Sequence, residues 1–313
     1  MRCPSDGRGR RPQSLHRLCH RAARAGRLVL LRPGRTGHRE HRRAGDARHR
    51  AAGPVGASDG DDAGRSADRG LSDGAAGRGA GASGGHAARR AELRDTQGWD
   101  REVQALAAQG WWVLRPNFRG SGGYGLGFAS QGWTRWGDRM QEDVEDAVAL
   151  AIESKGLDAT RVAIIGSSYG GYAALMGAVR RPDLYKAAIG ICGVYDLPDM
   201  LAWEEREDDQ PGKPVYDFWV RRIGDPRTVG PALQAASPRR RVAEVSCPVL
   251  LVHGVDDKVV PIVQSRRMND ALRAAGKSVE LVEVADAGHA DWTASEGEVL
   301  MRRYVALLRT AFA

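Results

Sequence analysis

Five short apolar runs between residues 111 and 284 constrain the fold of this chain more than any other feature. Most of the runs are almost continuous, and helical patterns lie between them. Such runs are typical of parallel strands that are covered on both faces. The runs are residues 111–114, 162–165, 187–192, 248–252 and 279–284. They predict an α/β fold over residues 96–313, with a doubly wound, mostly parallel sheet.

The segments between these runs predict helices and two irregular regions. Residues 141–154 carry apolar side chains at helical spacing, and helices are also expected around 263–275 and 296–311. Residues 116–137 are rich in glycine and aromatic side chains and predict a long loop. Residues 196–240, which are rich in tryptophan, proline and acids, predict a helical insertion over the carboxyl edge of the sheet. Ligand sites of open α/β sheets lie at that edge.

The first 95 residues have a different composition from the rest. They contain 21 arginines, no lysine and 10 acidic residues, and all 19 aromatic residues of the chain follow them. The basic net charge therefore belongs to this segment, and the remainder is mildly acidic. A segment so poor in large apolar residues predicts disorder. Two other interpretations stay open: a basic arm that binds nucleic acid, and a shifted reading frame of a GC-rich gene.

Cysteine spacing and hydropathy indicate neither a metal site nor a membrane segment. The four cysteines are Cys3, Cys19, Cys192 and Cys247, and they form no Cys-x-x-Cys pair or disulfide framework. No apolar run approaches the 18 residues of a membrane span, and residues 28–31 are too short for a signal-peptide core. We expect a cytoplasmic protein that binds no nucleic acid, membrane, metal or cofactor through its body.

The most informative motif is Gly-x-Ser-x-Gly at residues 166–170. It follows an apolar run that ends at Ile165, and a helical pattern opens at Tyr172. A serine held on a tight strand-to-helix turn is the geometry of a nucleophile elbow, where the helix N-terminus stabilises negative charge. We therefore predict that Ser168 is a catalytic nucleophile.

A serine nucleophile needs a base, and the base needs a carboxylate that orients it. Only two histidines, His253 and His289, lie outside the first 95 residues. His289 follows a predicted strand in a loop and is the better candidate, whereas His253 at a strand end is expected to pack or hydrogen-bond there. The loop between them offers two acids, Asp256 and Asp257. The order serine, aspartate, histidine is the order of α/β-hydrolases.

Four segments together resemble the catalytic domain of the prolyl oligopeptidase family of serine peptidases, the branch with dipeptidyl and acylaminoacyl peptidases. The resemblance covers about residues 98–313. The segments are residues 114–125 (Leu-Arg-Pro-Asn-Phe-Arg-Gly-Ser-Gly-Gly-Tyr-Gly), 166–172 (Gly-Ser-Ser-Tyr-Gly-Gly-Tyr), 253–261 (His-Gly-Val-Asp-Asp-Lys-Val-Val-Pro) and 288–289 (Gly-His).

The resemblance implies cleavage of peptide bonds in short peptides, without a cofactor. Ser168 would attack, His289 would move the proton, and the family pattern places the acid at Asp257. The amide of Tyr169 would donate to the oxyanion, and Tyr169 and Tyr195 would line the pocket for the residue before the scissile bond. Packing of Tyr195 under the insertion is the alternative.

Two features of the family have no counterpart in the sequence. No Gly-rich oxyanion motif precedes residue 111, and nothing in residues 1–95 predicts strands, either for the sheet or for the family's β-propeller. The first strands of the sheet are therefore expected to be missing, which would expose a sheet edge. A carboxylesterase on the same fold and an inactive fragment are the alternatives to a peptidase. A homo-oligomer is left open.

Overall fold

The structure, a computed structural model, describes residues 27–33, 94–95 and 99–313, all within one compact unit. The prediction of a low-complexity segment over residues 1–95 therefore lies outside the described residues, except at 27–33 and 94–95. In the described part of the chain, one six-stranded sheet has the order β2-β1-β3-β4-β5-β6. The strands are β1 (Arg27–Pro33), β2 (Trp112–Leu114), β3 (Leu157–Ser167), β4 (Tyr185–Ile191), β5 (Val249–Gly254) and β6 (Val279–Val284).

Strands β3 to β6 run parallel and carry the predicted apolar sequences. Alternate residues of β3 enter different cores: Ile164 packs with one hydrophobic cluster, and Ile165 packs with the cluster on the opposite face. Leu251 and Leu250 of β5 divide in the same way. The apolar stretches of β3, β4 and β5 are therefore buried on both faces, which explains why their sequence runs are continuous rather than alternating. Strand β6 lies at the edge of the sheet, and its sequence alternates apolar residues with the exposed Glu280 and Glu283.

The expectation that residues 1–95 contain no strand of the sheet was wrong at β1. This strand lies between β2 and β3 and is antiparallel to both. Residues 28–31 (Leu-Val-Leu-Leu) form a short apolar run, and the edge of β3 offers unpaired backbone groups to such a segment. Pairing satisfies those groups, and Leu30 becomes fully buried. The edge beside β3 is therefore covered rather than exposed.

Helices cover both faces of the sheet. They are α1 (Arg101–Ala107), α2 (Leu126–Ser130), α3 (Arg139–Lys155), α4 (Tyr169–Arg180), α5 (Leu197–Glu207), α6 (Pro214–Ile223), α7 (Pro226–Ala235), α8 (Val263–Ala274) and α9 (Ala294–Ala311). Buried residues of α3, α4 and α8 pack with one hydrophobic cluster, while those of α1 and α9 pack with the other. This arrangement confirms the predicted doubly wound α/β fold.

The predicted insertion contains α5, α6 and α7, followed by a 3-10 helix at Pro238–Glu244. Asp196 begins this segment and is almost fully buried. Its carboxylate accepts hydrogen bonds from Arg239 at 2.5 Å and from Arg240 at 2.8 Å. The side chain of Gln264 on α8 accepts from the amide of Asp196 at 2.8 Å. These contacts join the two ends of the insertion and fasten it to α8.

Candidate active site

The predicted elbow lies where β3 ends at Ser167 and α4 begins at Tyr169. Ser168 between them has φ 58° and ψ −120°, a strained conformation for a residue with a side chain. Its amide donates to the carbonyl of Ile191 on β4 at 2.8 Å, which fixes the turn to the neighbouring strand. The helix begins three residues before the predicted start at Tyr172, so the elbow consists of one residue.

Close backbone packing at the elbow explains its glycines. A Cβ atom built on Gly166 would lie 2.3 Å from the carbonyl oxygen of Gly170, far inside van der Waals contact. The strand and the helix therefore meet at a distance that only glycine allows. Because of this approach, Ser168 stands at the tip of the turn and keeps part of its surface exposed.

The predicted base and acid meet at the same edge of the sheet. Nδ1 of His289 lies 2.7 Å from Oδ2 of Asp257, and both side chains are almost completely buried. Gly254 permits this meeting, because a Cβ atom there would lie 2.1 Å from the carbonyl oxygen of Gly288. Asp256 is exposed instead. Of the two acids that the sequence offered, Asp257 is therefore the one bonded to the imidazole.

The second oxygen of Asp257 is also bonded. Oδ1 accepts from the amides of Val259 at 2.8 Å and Val260 at 2.9 Å, in a turn that the carboxylate itself organises. Burial favours a higher pKa for this carboxyl, but hydrogen bonds from His253 and His289 outweigh it and hold the pKa far below its usual range. Asp257 is therefore an ionised acid in a buried position.

The second ring nitrogen of His289, Nε2, is available to act as a base. This atom is buried and has no hydrogen-bond partner among the described residues. A carboxylate only accepts hydrogen bonds, so Nδ1 carries the proton and Nε2 carries the lone pair. The ring is therefore held in the tautomer that can accept a proton from a serine hydroxyl.

His253 does more than pack at its strand end. It is fully buried, with Nδ1 2.7 Å from Oγ of Ser265 and Nε2 2.9 Å from the carbonyl oxygen of Val260. Its Nε2 also lies 3.2 Å from Oδ2 of Asp257. The sequence pattern shows that His253 ends a strand, but it does not show that the ring turns toward the acid of the next loop.

One group of described side chains has the donor types that a metal ion prefers. Cys192, His253 and Asp257 each offer one ligand atom, and these atoms lie within 4.8 Å of one another. The imidazole nitrogens and the carboxylate oxygens are already engaged in the hydrogen bonds described above. Burial raises the pKa of the Cys192 thiol, which opposes the thiolate that a metal would need.

Partly exposed aromatic rings stand beside the nucleophile. We call Phe118, Trp136, Tyr169 and Trp219 the aromatic wall. Ring centroids of Trp136 and Tyr169 are 4.3 Å apart, those of Phe118 and Tyr169 are 5.7 Å apart, and those of Trp136 and Trp219 are 6.5 Å apart. Of these four residues, only Tyr169 was predicted from the sequence to line the site. The aromatic richness of residues 116–137 was the signal for Phe118 and Trp136.

Tyr195 packs in the core and does not line the pocket, which is the alternative role that the sequence left open for it. It is fully buried, and its hydroxyl has no hydrogen-bond partner among the described residues. A Cβ atom on Gly190 would lie 2.3 Å from this hydroxyl, so the ring fits beneath β4. The structure therefore places Tyr195 in the core rather than on a surface that a substrate can reach.

Strand β1 covers the sheet beside the elbow without bringing its carboxyl end there. Arg27 pairs with Gly166, whereas Pro33 pairs with Leu157 at the opposite edge of the sheet. A Gly-rich oxyanion turn that follows a parallel strand therefore cannot come from the carboxyl end of β1.

In the part of the chain that the structure describes, no helix is long and apolar enough to cross a membrane.

Comparison with known proteins gives a consistent result. The pattern of the prolyl oligopeptidase family matches residues 97–312. Dipeptidyl aminopeptidase BIII of Pseudoxanthomonas mexicana is 33% identical over 203 residues, which cover 63% of this chain and 28% of that protein. Esterase LipC of Mycobacterium tuberculosis is 32% identical over 207 residues, which cover 60% of this chain and 47% of that protein.

Solved structures show the same relationship. A puromycin-hydrolysing peptidase of Mycobacterium tuberculosis superposes with a TM-score of 0.63 at 26% identity, covering 70% of this chain and 32% of that one. An acylaminoacyl peptidase of Pyrococcus horikoshii gives a TM-score of 0.58 at 25% identity, covering 67% and 33%. The matching part of the chain thus spans between about a quarter and a half of the length of these relatives.

Proposed function

Because the chain belongs to the prolyl oligopeptidase family, we propose that it is a serine peptidase that hydrolyses peptide bonds in short peptides through an acyl-enzyme. The observation that carries this proposal is the 2.7 Å hydrogen bond between Nδ1 of His289 and Oδ2 of Asp257. This bond lies at the sheet edge where the strained Ser168 turn also ends. It supplies the oriented base that a serine nucleophile needs.

The first half of the reaction uses all three side chains. The Ser168 hydroxyl attacks the scissile carbonyl carbon while Nε2 of His289 accepts its proton. The ionised Asp257 carboxylate stabilises the imidazolium that forms. The proton then passes from Nε2 to the leaving amine, the C–N bond breaks, and the acyl group stays on Oγ. Water attacks this ester in the second half, with His289 again accepting the proton, and releases the acid.

The developing oxyanion requires a donor at a fixed position. The amide of Tyr169 belongs to the first residue of α4, directly after the nucleophile, where amides of the first helical turn point outward. The helix N-terminus adds a favourable partial charge. One such preorganised donor is typically worth about 10²–10³ in rate.

The aromatic wall supports a preference for an apolar side chain before the scissile bond. Its rings contact one another edge-on or at a tilt, with centroids 4.3–6.5 Å apart, and they are partly exposed, as is Ser168. An apolar substrate side chain would bury its surface and that of the rings together, at about 25 cal/mol per Å². Short peptides fit two of the relatives, the dipeptidyl aminopeptidase and the acylaminoacyl peptidase, whose names describe removal of dipeptides and of acylated amino acids.

A fluorophosphonate probe tests the nucleophile directly. We expect labelling of the folded full-length chain, loss of labelling in Ser168→Ala, and normal labelling in the control Ser154→Ala, whose serine is exposed on α3. Absence of labelling in protein with a folded circular dichroism spectrum would overturn the proposal. Labelling that survives Ser168→Ala would do the same.

The leaving group distinguishes a peptidase from an esterase. Wild-type protein that has not been treated with the probe is assayed with a dipeptide nitroanilide and with the nitrophenyl ester of a short acid. We expect hydrolysis of both, because an acyl-enzyme forms from either substrate and the ester has the better leaving group. Turnover of the ester alone would contradict the peptidase assignment while leaving the serine nucleophile in place.

A further inference from the structure

Oxygen Oδ2 of Asp257 lies between two buried imidazole rings. Nδ1 of His289 is 2.7 Å away on the substrate side, and Nε2 of His253 is 3.2 Å away on the core side. The reaction proposed above uses only the first ring. The side chain of His253 has no exposed surface, so it contacts neither substrate nor solvent.

We propose that His253 is a positioning residue of this reaction, which holds the Asp257 carboxylate in the orientation and the charge state that His289 requires. This inference rests on the proposed function. It assigns to His253 a role that is carried by hydrogen bonds to its two ring nitrogens rather than by the volume of its ring.

The contacts of His253 determine where its proton lies. The carbonyl oxygen of Val260, 2.9 Å from Nε2, can only accept a hydrogen bond. Nε2 therefore carries a proton that it donates to Val260, and the same nitrogen lies 3.2 Å from Oδ2 of the Asp257 carboxylate. Nδ1 then accepts from the hydroxyl of Ser265 at 2.7 Å. A neutral ring in this tautomer satisfies every partner without adding a second buried charge.

The Nε2–H group of His253 is the fourth N–H group close to the Asp257 carboxylate. Oδ1 of Asp257 accepts from two backbone amides, and Oδ2 faces the two imidazole N–H groups. Without His253, Oδ2 would keep one donor, and its negative charge would fall more strongly on His289. Among the described residues, the other titratable side chains around His253 include Cys192, directly after β4, Glu283 on β6, and Tyr195, which neighbours the same Ser265.

The tautomer is tested in the wild-type protein. ¹⁵N-histidine NMR reports which ring nitrogens carry protons, and spectra of His253→Gln and His289→Gln assign the two rings among the eight histidines of the chain. We expect a protonated Nε2 at His253 from pH 6 to pH 8. An unprotonated Nε2 would overturn the proposal, because the ring could not then donate to the carboxylate.

Kinetics of two variants separate positioning from packing. His253→Leu removes the donor and keeps an apolar side chain, whereas His253→Gln keeps an N–H near the position of Nε2. We expect kcat of the leucine variant to fall about 10–100-fold with KM little changed, the usual cost of a lost hydrogen bond to a buried charge. The glutamine variant should recover most of that loss. Equal losses in both variants would indicate packing alone and overturn the proposal.

The pH dependence of kcat/KM separates positioning from packing, because a change in packing alone would not shift it. In His253→Leu the acid limb of kcat/KM should shift to higher pH, because more negative charge faces the imidazole of His289. Ser265→Ala, which releases the His253 ring, should shift the limb in the same direction by less. Ser237→Ala removes an equally buried hydroxyl within the insertion and should lower stability only. An unmoved limb in both His253→Leu and Ser265→Ala would overturn the proposal.

The two proposals fail separately. If the wild-type protein shows no Ser168-dependent labelling, the peptidase function fails. If the wild-type protein labels and turns over while folded His253→Leu matches its kcat, only the role of His253 fails. Should His253→Leu not fold, the wild-type NMR measurement and Ser265→Ala still decide the matter.

Discussion

The two sides of the active site are built from opposite kinds of surface. On the acid–base side, Asp257, His289 and His253 are buried, and Asp257 is hydrogen-bonded to His289 and lies 3.2 Å from His253. On the nucleophile side, Ser168 and the aromatic wall are partly exposed, and the rings of the wall contact one another. Burial fixes protonation states and orientation, whereas exposed rings offer surface for a ligand. We therefore expect substitutions on the first side to change kcat and pH dependence, and those on the second to change substrate preference.

The largest effect is expected on the acid–base side. Asp257→Asn should lower kcat/KM about 10⁴-fold, because a neutral amide neither fixes the tautomer of His289 nor offsets the charge of the imidazolium. The matched control is Asp256→Asn, whose side chain is exposed beside it. We expect that variant to retain activity close to wild type. Similar losses in both variants would show that the acid–base side depends on the fold of the loop rather than on one carboxylate.

The aromatic wall tests the other side of the comparison. Trp136→Ala should lower kcat/KM about 10–100-fold for a peptide with an apolar residue before the scissile bond, since burial of one large side chain is worth about 1.5–3 kcal/mol. The loss should lie mainly in KM, and Trp136→Phe should restore most of it. Trp99→Ala, at a tryptophan that is 78% exposed, is the control. A loss confined to kcat would break the division between the two sides.

The insertion that carries Trp219 contains a buried carboxylate, Asp196, that pairs with two partly exposed arginines. Asp196→Asn removes the charge shared by Arg239 and Arg240 and should lower the free energy of unfolding by about 1–3 kcal/mol, measured by urea denaturation. Asp209→Asn, in an exposed loop of the same insertion, should change it by less than about 0.5 kcal/mol. If Asp196→Asn is no less stable than Asp209→Asn, the insertion is held by its apolar contacts instead.

The smallest effect concerns a buried acid on α5. Burial and the neighbouring Asp208 raise the pKa of Glu204 from 4.5 to about 8. The folded protein therefore binds one proton more than the unfolded chain between these values, so stability falls as pH rises from about 4.5 to 8. Glu204→Gln should raise Tm by about 2–6 °C at pH 8.5 and leave it unchanged at pH 4.5.

The control for this measurement is Glu153→Gln, an exposed acid on α3. Its Tm should follow that of the wild-type protein at both pH values. An equal gain for Glu204→Gln at pH 4.5 and pH 8.5 would exclude titration of Glu204 as the cause.

Most of the fold was predictable because local patterns agree with the tertiary structure. Strand β6 spans the predicted residues, and α8 begins at the predicted Val263. Strand β1 was not predictable, since its pairing with β2 and β3 depends on an edge that exists only once the sheet has formed. Tyr195 shows the same limit, because a residue after a strand can turn toward the pocket or under the sheet. Here Gly190 of β4 and Gly193 just after it admit the ring to the core.

The sequence by itself determined the parallel sheet, the elbow at Ser168 and the choice of His289. Strand periodicity, glycine spacing and the positions of the few histidines can all be read directly from the order of residues. The family pattern already favoured Asp257 over Asp256. Only the tertiary structure joined Asp257 to His289, assembled the aromatic wall and turned His253 toward the acid. These results depend on the directions in which side chains point after separate strands converge. Those directions follow from packing between segments that lie far apart in the chain.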